Sequence, residues 1–302
     1  MRSGLRRLRL IIQITWTPKN ADSILSHQGL RLFAVDNGKL LKSMLKLLTY
    51  TNLHRNAEKI RHFSSTRIGG VSTGTFDSLN LGEYTEDASI NIARNRELLA
   101  VKLGIHTSQI YNAHQKHGAA VKFVDEGLTE LSLADRKAAL HGYDAFICNL
   151  PSICITVTTA DCVPILLFDP INEAVAAIHS GWRGTLNNVA KETIRAMHEK
   201  FGTKASDLVA AIGPCISQAV YEVGEELYSE FSAQGFSHLF QSQPNGKYLF
   251  DIREAVRLQL VEAGITDIEV SPYCTFTNDD LFFSARKSGL NSGRMLSGIF
   301  IL

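Results

Sequence analysis

The stretch from residue 153 to residue 184 constrains this chain most. Val163 to Phe168 and Ala174 to Ile178 are short apolar runs, and Asp169-Pro170-Ile171-Asn172 between them is turn chemistry. Upstream, Ile153, Ile155 and Val157 alternate with Cys154, Thr156 and Thr158, the period of a strand. A four-residue loop at 169–172 sets Phe168 opposite Glu173 and, in the same register, Cys162 opposite His179. The two side chains then share one face with Cβ atoms about 4.5–5.5 Å apart. Pro164 is the weak point: a bulge there shifts the register by one and sends them to opposite faces.

Beyond this hairpin the chain alternates helices and strands. Asp87 is placed to cap a helix through Leu103, with Ile92, Leu99 and Leu103 on one face and Gly104 at its end. Ala119 to Val124 reads as a strand. After Gly184 a helix carries Leu186, Val189, Ala190, Ile194, Met197 and Phe201 in a stripe that Gly202 stops. Leu208 to Ile212 is a further strand, broken by Gly213-Pro214. A last helix begins at Asp251, turns Val256, Leu260 and Val261 inward and ends at Gly264. The pattern predicts an α/β fold without repeats or low-complexity tracts.

Residues 44–302 are expected to form a single α/β domain. Residues 1–43 are read as an N-terminal extension outside the fold, with Met44 as the natural start. Met1 to Arg9 holds four arginines and no acid. The likeness to a transit peptide is one of composition only, since no clean amphipathic or cleavage pattern follows.

Composition narrows the function classes. Lys plus Arg (31) nearly balances Asp plus Glu (30), a net charge of +1, so no basic field exists to hold a nucleic acid. No run of 18 apolar residues is present, and no membrane partner is expected. Five scattered cysteines are no disulfide framework and point to a reducing compartment, the cytoplasm.

A thiol facing an imidazole has two chemical uses. The imidazole can activate the thiolate as a nucleophile, or both can ligate a metal such as zinc. The plain alternative is a packed cysteine beside an unrelated histidine. A third ligand is available at His117 in Gln115-Lys116-His117-Gly118, just before a strand. His114 could share a helical face with it, but Gly-Ala-Ala-Val after His117 argues for extended chain. Three protein ligands with an open position is the pattern of catalytic zinc.

Asp161, next to Cys162, is either a proton-transfer group or a strand-end carboxylate turned to solvent. Gly181-Trp182-Arg183-Gly184 opens a helix whose free N–H groups and guanidinium suit an anion. Thr66-Arg67-Ile68-Gly69-Gly70-Val71-Ser72 is a second glycine-rich loop with an arginine, and the pair forms a candidate phosphate or carboxylate clamp. Cys215 reads as a packed residue.

Several motifs occur in order: Thr-Arg-Ile-Gly-Gly-Val-Ser (66–72), Ser-Leu-Asn-Leu-Gly (78–82), Gln-Lys-His-Gly (115–118) and Thr-Ala-Asp-Cys-Val-Pro (159–164). His-Ser-Gly-Trp-Arg-Gly (179–184), Gly-Pro-Cys-Ile (213–216), Tyr-Glu-Val-Gly (221–224) and Phe-Phe-Ser-Ala-Arg (282–286) follow. From about residue 60 onward this series resembles the bacterial YfiH/YlmD family of laccase-domain proteins. The resemblance implies a layered α/β/α domain with a mixed sheet, related to cysteine hydrolases of the deamidase toxin type. It implies zinc, or alternatively copper, on His117, Cys162 and His179. It also implies purine nucleoside phosphorolysis with adenosine deamination as a companion activity. Asp161, Cys162 and Arg183 are then the catalytic candidates, and Arg67, Asn80, Arg183 and Arg286 the candidates for binding substrate and phosphate. Two places differ from the family pattern: Lys116 stands where valine is usual, and Ala285 and Lys287 replace a tyrosine and an arginine.

The partners expected are a purine nucleoside and phosphate, in a monomer or homodimer. Two other chemistries stay open: a metal-free cysteine hydrolase or amidase acting on peptidoglycan precursors, and a copper-dependent polyphenol oxidase.

Overall fold

A computed structural model describes residues 45–302. The extension expected over residues 1–43 lies outside the described residues.

The strands, in chain order, are β1 (Leu47–Leu48), β2 (Ile60–Ser65), β3 (Ile110–Tyr111), β4 (Val121–Val124), β5 (Ala145–Cys148), β6 (Cys154–Thr159) and β7 (Val163–Asp169). They continue with β8 (Ala174–Ser180), β9 (Val209–Ile212), β10 (Glu222–Val223), β11 (Phe240–Ser242), β12 (Tyr248–Phe250), β13 (Asp267–Val270) and β14 (Met295–Ile301). Six helices matter to the argument: α1 (Ser89–Leu103), α2 (Trp182–Leu186), α3 (Val189–Phe201), α4 (Glu225–Ser232), α5 (Ile252–Glu262) and α6 (Ala285–Ser288).

Two mixed sheets form the body. One has five strands in the order β1-β2-β14-β6-β3, the other six in the order β13-β9-β7-β8-β5-β4. A small antiparallel sheet, β10-β12-β11, lies apart from them. Alternate residues of β7 and β8 point to opposite faces of the six-stranded sheet. Leu166, Phe168, Val175 and Ala177 meet Ile155, Val157 and Ile299 of the five-stranded sheet. On the other face Ile165, Leu167, Ala176 and Ile178 pack with Val189, Ala190 and Met197 of α3 and Ala255, Val256 and Leu260 of α5. The outer face of the five-stranded sheet, at Phe63, Leu296 and Phe300, is covered by Leu98 and Leu99 of α1.

The expectation of one sheet between helices is therefore corrected to two stacked sheets with helices outside. The cause is physical. β7 and β8 are buried at every position, because a sheet covers one face and helices the other. Such strands read as continuous apolar runs and do not reveal what covers each face.

The hairpin differs from expectation in one respect. Asp169 pairs with Ala174, so the loop is 170–173, and His179 lies opposite Pro164 rather than Cys162. Asp169 belongs to the strand because its carboxylate turns the chain: Oδ1 accepts from the N–H groups of Ile171 (2.9 Å) and Asn172 (3.0 Å). The register moves by two residues, which preserves the face. Pro164 makes no bulge; its carbonyl accepts the Gly213 N–H at 2.8 Å, and pairing with β9 begins one residue on, at Ile165. The helix expected after Gly184 is two, α2 and α3, parted at Asn188 with φ 57°. Asp87 does not cap α1; its carboxylate accepts from Ser72 and Asn80 instead.

Candidate metal centre and active site

By strand alternation, Cys162 and His179 both lie on the inter-sheet side of the hairpin, at one end of that layer. His117 comes in from the loop before β4. The ligand atoms of His117, Cys162 and His179 all lie within 4.8 Å of one another. The two imidazoles meet edge to face at 4.8 Å between centroids. Gly181 permits this approach, since a Cβ there would stand 3.1 Å from both Cys162 Sγ and His117 Cδ2.

One carboxylate organises the histidines. Asp144, fully buried, accepts from His179 Nδ1 at 2.8 Å and so turns Nε2 toward Cys162. The same carboxylate accepts from the N–H groups of Lys116 (3.3 Å), His117 (2.9 Å) and Gly118 (2.7 Å). Those bonds hold His117 at φ 60°, the left-handed region that non-glycine residues seldom occupy. The His179 N–H in turn donates to the Asp144 carbonyl at 2.7 Å.

The electrostatics match the donor set. Burial opposes ionisation of Cys162, yet the facing His179 charge and hydrogen bonds from both histidines bring its pKa down to about 6. Burial likewise opposes a charged His179, and the Cys162 thiolate and Asp144 bring it up to about 9. Asp144 is desolvated, but its bonds to His179 and the backbone hold it below the usual carboxylate range. A thiolate, two imidazoles and a carboxylate fixing one imidazole are the ligands and outer support that zinc takes. The residues present fit that metal, and this is the single His/Cys/Asp/Glu group of such geometry among the described residues.

The triad opens into a cavity of about 630 Å³. Of the residues expected from sequence, Asp161, Arg183 and Arg286 line it together with the triad. Arg183 is exposed, lies 4.3 Å over the Trp182 ring and has no carboxylate partner among the described residues. Arg286 donates to the Glu222 carbonyl at 2.9 Å and lies over Tyr221. Asp161, at φ 84°, accepts from Thr275 Oγ1 (2.6 Å), Ser284 Oγ (3.0 Å) and the Arg286 N–H (2.7 Å). It thereby ties the start of α6 to the Cys162 turn.

Two expected residues are not brought to this cavity. Arg67 donates to the carbonyls of Asp77 (2.6 Å) and Asp279 (2.8 Å) and lies over Phe283, beside a separate surface hollow. Two of its donors join two loops, away from the triad. Asn80 is fully buried, and its amide is engaged on both sides. It donates to Thr85 and Asp87 and accepts from the N–H groups of Gly82 and Arg294.

Sequence reasoning missed Asp144, Arg294 and Tyr84. Arg294 lines the cavity while its guanidinium donates to the carbonyls of Leu290, Ser292 and Gly293. Tyr84 lines it from the turn after Gly82. Asp144 stands before an apolar strand at no telling spacing from the ligands, so nothing in the pattern marked it.

Fold and site together define a class: a layered α/β protein with a His-Cys-His ligand cage beneath an arginine-rimmed cavity. The chain belongs to the multi-copper polyphenol oxidoreductase laccase family, whose model matches residues 61–302. A purine nucleoside phosphorylase of Bacteroides thetaiotaomicron is 38% identical over 85% of this chain and 96% of its own length. Adenosine deaminase RL5, from an unknown prokaryotic organism, is 35% identical over 82% of this chain and 95% of its own. Among solved structures, YfiH of Bacillus licheniformis superposes with a TM-score of 0.78 at 29% identity, covering 86% of this chain and 97% of that one. YlmD of Geobacillus stearothermophilus gives 0.75 at 30% identity, over 80% and 92%. No helix among the described residues is long and apolar enough to cross a membrane.

Proposed function

We propose that this chain is a zinc-dependent purine nucleoside phosphorylase with adenosine deaminase activity, carried by residues 44–302 as one catalytic unit in the cytoplasm. One observation carries the reading: the ligand triad, Asp161 and the arginines 183, 286 and 294 border a single cavity. The names of the similar proteins point the same way. In phosphorolysis the bond from the sugar carbon to the purine nitrogen breaks, a bond to a phosphate oxygen forms, and the base nitrogen takes a proton. Arg183 and Arg286 hold the anionic oxygens, fixed cations being what such charge requires. Arg294 adds positive charge to the same wall in place of Arg67. Zinc on His117, Cys162 and His179 supplies the Lewis acidity that exchange of an amino group for water requires. Asp161 positions Arg286, and three donors leave its carboxylate room for one more hydrogen bond, to a substrate N–H or O–H.

The test is a phosphorolysis assay with metal analysis of the wild type beside Cys162→Ala. The wild type should carry about one zinc per chain and release free base and pentose 1-phosphate from inosine or adenosine. Cys162→Ala should lose metal and activity together. A wild type that releases no base defeats the reading.

The lowered Cys162, the raised His179 and the buried Asp144 favour a second reading, a Cys-His-Asp hydrolase acting on an amide, in keeping with a cysteine-hydrolase-like ancestry of the fold. Rapid alkylation of Cys162 by iodoacetamide in metal-replete protein selects it, because a ligated thiolate is protected. A multicopper oxidase is disfavoured by ligand number, three donors in one group among the described residues.

A further inference from the structure

We propose that the free face of the Tyr84 ring is the platform on which the purine base stacks. This rests on the nucleoside reading above and deepens it. Tyr84 lines the cavity that holds the ligand triad, yet it is 51% exposed. One face of its ring is taken: it stacks on His114 with centroids 4.3 Å apart and planes at 22°. His114 is braced edge-on by His141 at 5.0 Å. No other ring and no cation stacks on Tyr84 among the described residues, so what the ring leaves exposed is its edge and its opposite face.

The turn that carries Tyr84 is held before any ligand arrives. Fully buried Asn80 accepts from the Gly82 N–H at 3.0 Å and donates to Thr85 Oγ1 at 2.8 Å, while Thr85 Oγ1 donates to the Gly82 carbonyl at 2.9 Å. A ring so backed and so anchored loses little freedom when a flat ligand covers it.

The chemistry of the cavity assigns its two ends. Arg183, Arg286 and Arg294 suit an anion, which needs the fixed positive charge that a neutral base does not. An exposed aromatic face is the complement of a flat, neutral base, which stacks on it in an offset arrangement. The base goes to Tyr84 and the phosphate to the arginines, with the bond to be broken between them.

Tyr84→Ala and Tyr84→Phe in the full-length metalloenzyme test this. Tyr84→Ala should raise the KM for inosine about tenfold or more, the usual scale for loss of one base–aromatic stack, with little change in kcat. Tyr84→Phe keeps the ring and should behave as wild type. A second readout needs no turnover. Fluorescence of free 2-aminopurine should be quenched by wild type and Tyr84→Phe but not by Tyr84→Ala, while calorimetric binding of ribose 1-phosphate, which has no base, stays unchanged in all three. Wild-type quenching by Tyr84→Ala, or equal weakening toward 2-aminopurine and ribose 1-phosphate, overturns the platform. Failure of the wild type to release base from any nucleoside overturns the activity instead, and the quenching still reads the stack by itself.

Discussion

At the scale of single residues, Asp144 is the group on which the site depends. Its carboxylate fixes the imidazole orientation of His179 and the backbone of His117. In Asp144→Asn one oxygen becomes an amide that cannot accept from the His117 loop or from His179 Nδ1, and a backbone N–H or the ring is left facing a donor. We expect zinc affinity to fall about 10- to 100-fold, the usual cost of removing such support, with the fold retained. Competition against a chelator of known affinity, with circular dichroism as the folding control, measures it. Cys162 and His179 were legible in the sequence because they flank one hairpin, and side-chain alternation carries across a strand pair. His117 entered mainly through the family resemblance, and its spacing gave little. Asp144 was not legible: it acts through backbone amides of a loop far along the chain, a contact no local pattern records. Arg67 looked like an anion ligand because an arginine in a glycine-rich loop has the same composition whether it binds phosphate or bare carbonyls.

Secondary-structure elements tell a similar story. The strands of the β7–β8 hairpin were readable as apolar runs, and the turn as a turn. The register was not, since Asp169 serves both as last strand residue and as the acceptor that closes the loop. The two-residue difference left the face intact, so the Cys162–His179 proximity survived a wrong pairing. What covers each face is a tertiary matter that uniform burial conceals. Phe168, fully buried between the sheets, is the point at which to load that interface. Phe168→Ala should cost about 3–5 kcal/mol, the range for truncating a core phenylalanine. Urea titration at constant m-value checks it, and a loss below about 1 kcal/mol would contradict tight packing between the sheets.

For the whole molecule, acid stability offers a measurable consequence. His62 on β2 is buried, and its Nε2 accepts the Tyr50 N–H at 2.9 Å, which requires a neutral ring. Burial, seconded by nearby His54, outweighs the opposing influences of the Tyr50 hydrogen bond and Glu269 and lowers its pKa from 6.5 to about 4. The unfolded chain therefore binds this proton at a higher pH than the folded one. Stability from this residue is complete above about pH 6.5 and declines as pH falls toward 4. The loss is about 3 kcal/mol at about 1.4 kcal/mol per pH unit. Urea midpoints between pH 7 and pH 4.5 should show the slope, and His62→Gln, which keeps an acceptor without the titration, should flatten it.

The stacking of two sheets also divides labour along the gene. His117, Cys162, His179, the Asp144 carboxylate that supports the histidines and Arg183 sit on or beside strands of the six-stranded sheet, within one stretch from residue 117 to residue 183. The turn bearing Tyr84 and the segment bearing Arg286 and Arg294 lead instead into or out of strands of the five-stranded sheet. The proposed base platform and the His-Cys-His group are thus carried by separate stretches of the chain. Exchanging only the 82–85 turn with that of a relative becomes the natural graft for changing base selectivity while His117, Cys162 and His179 stay unaltered.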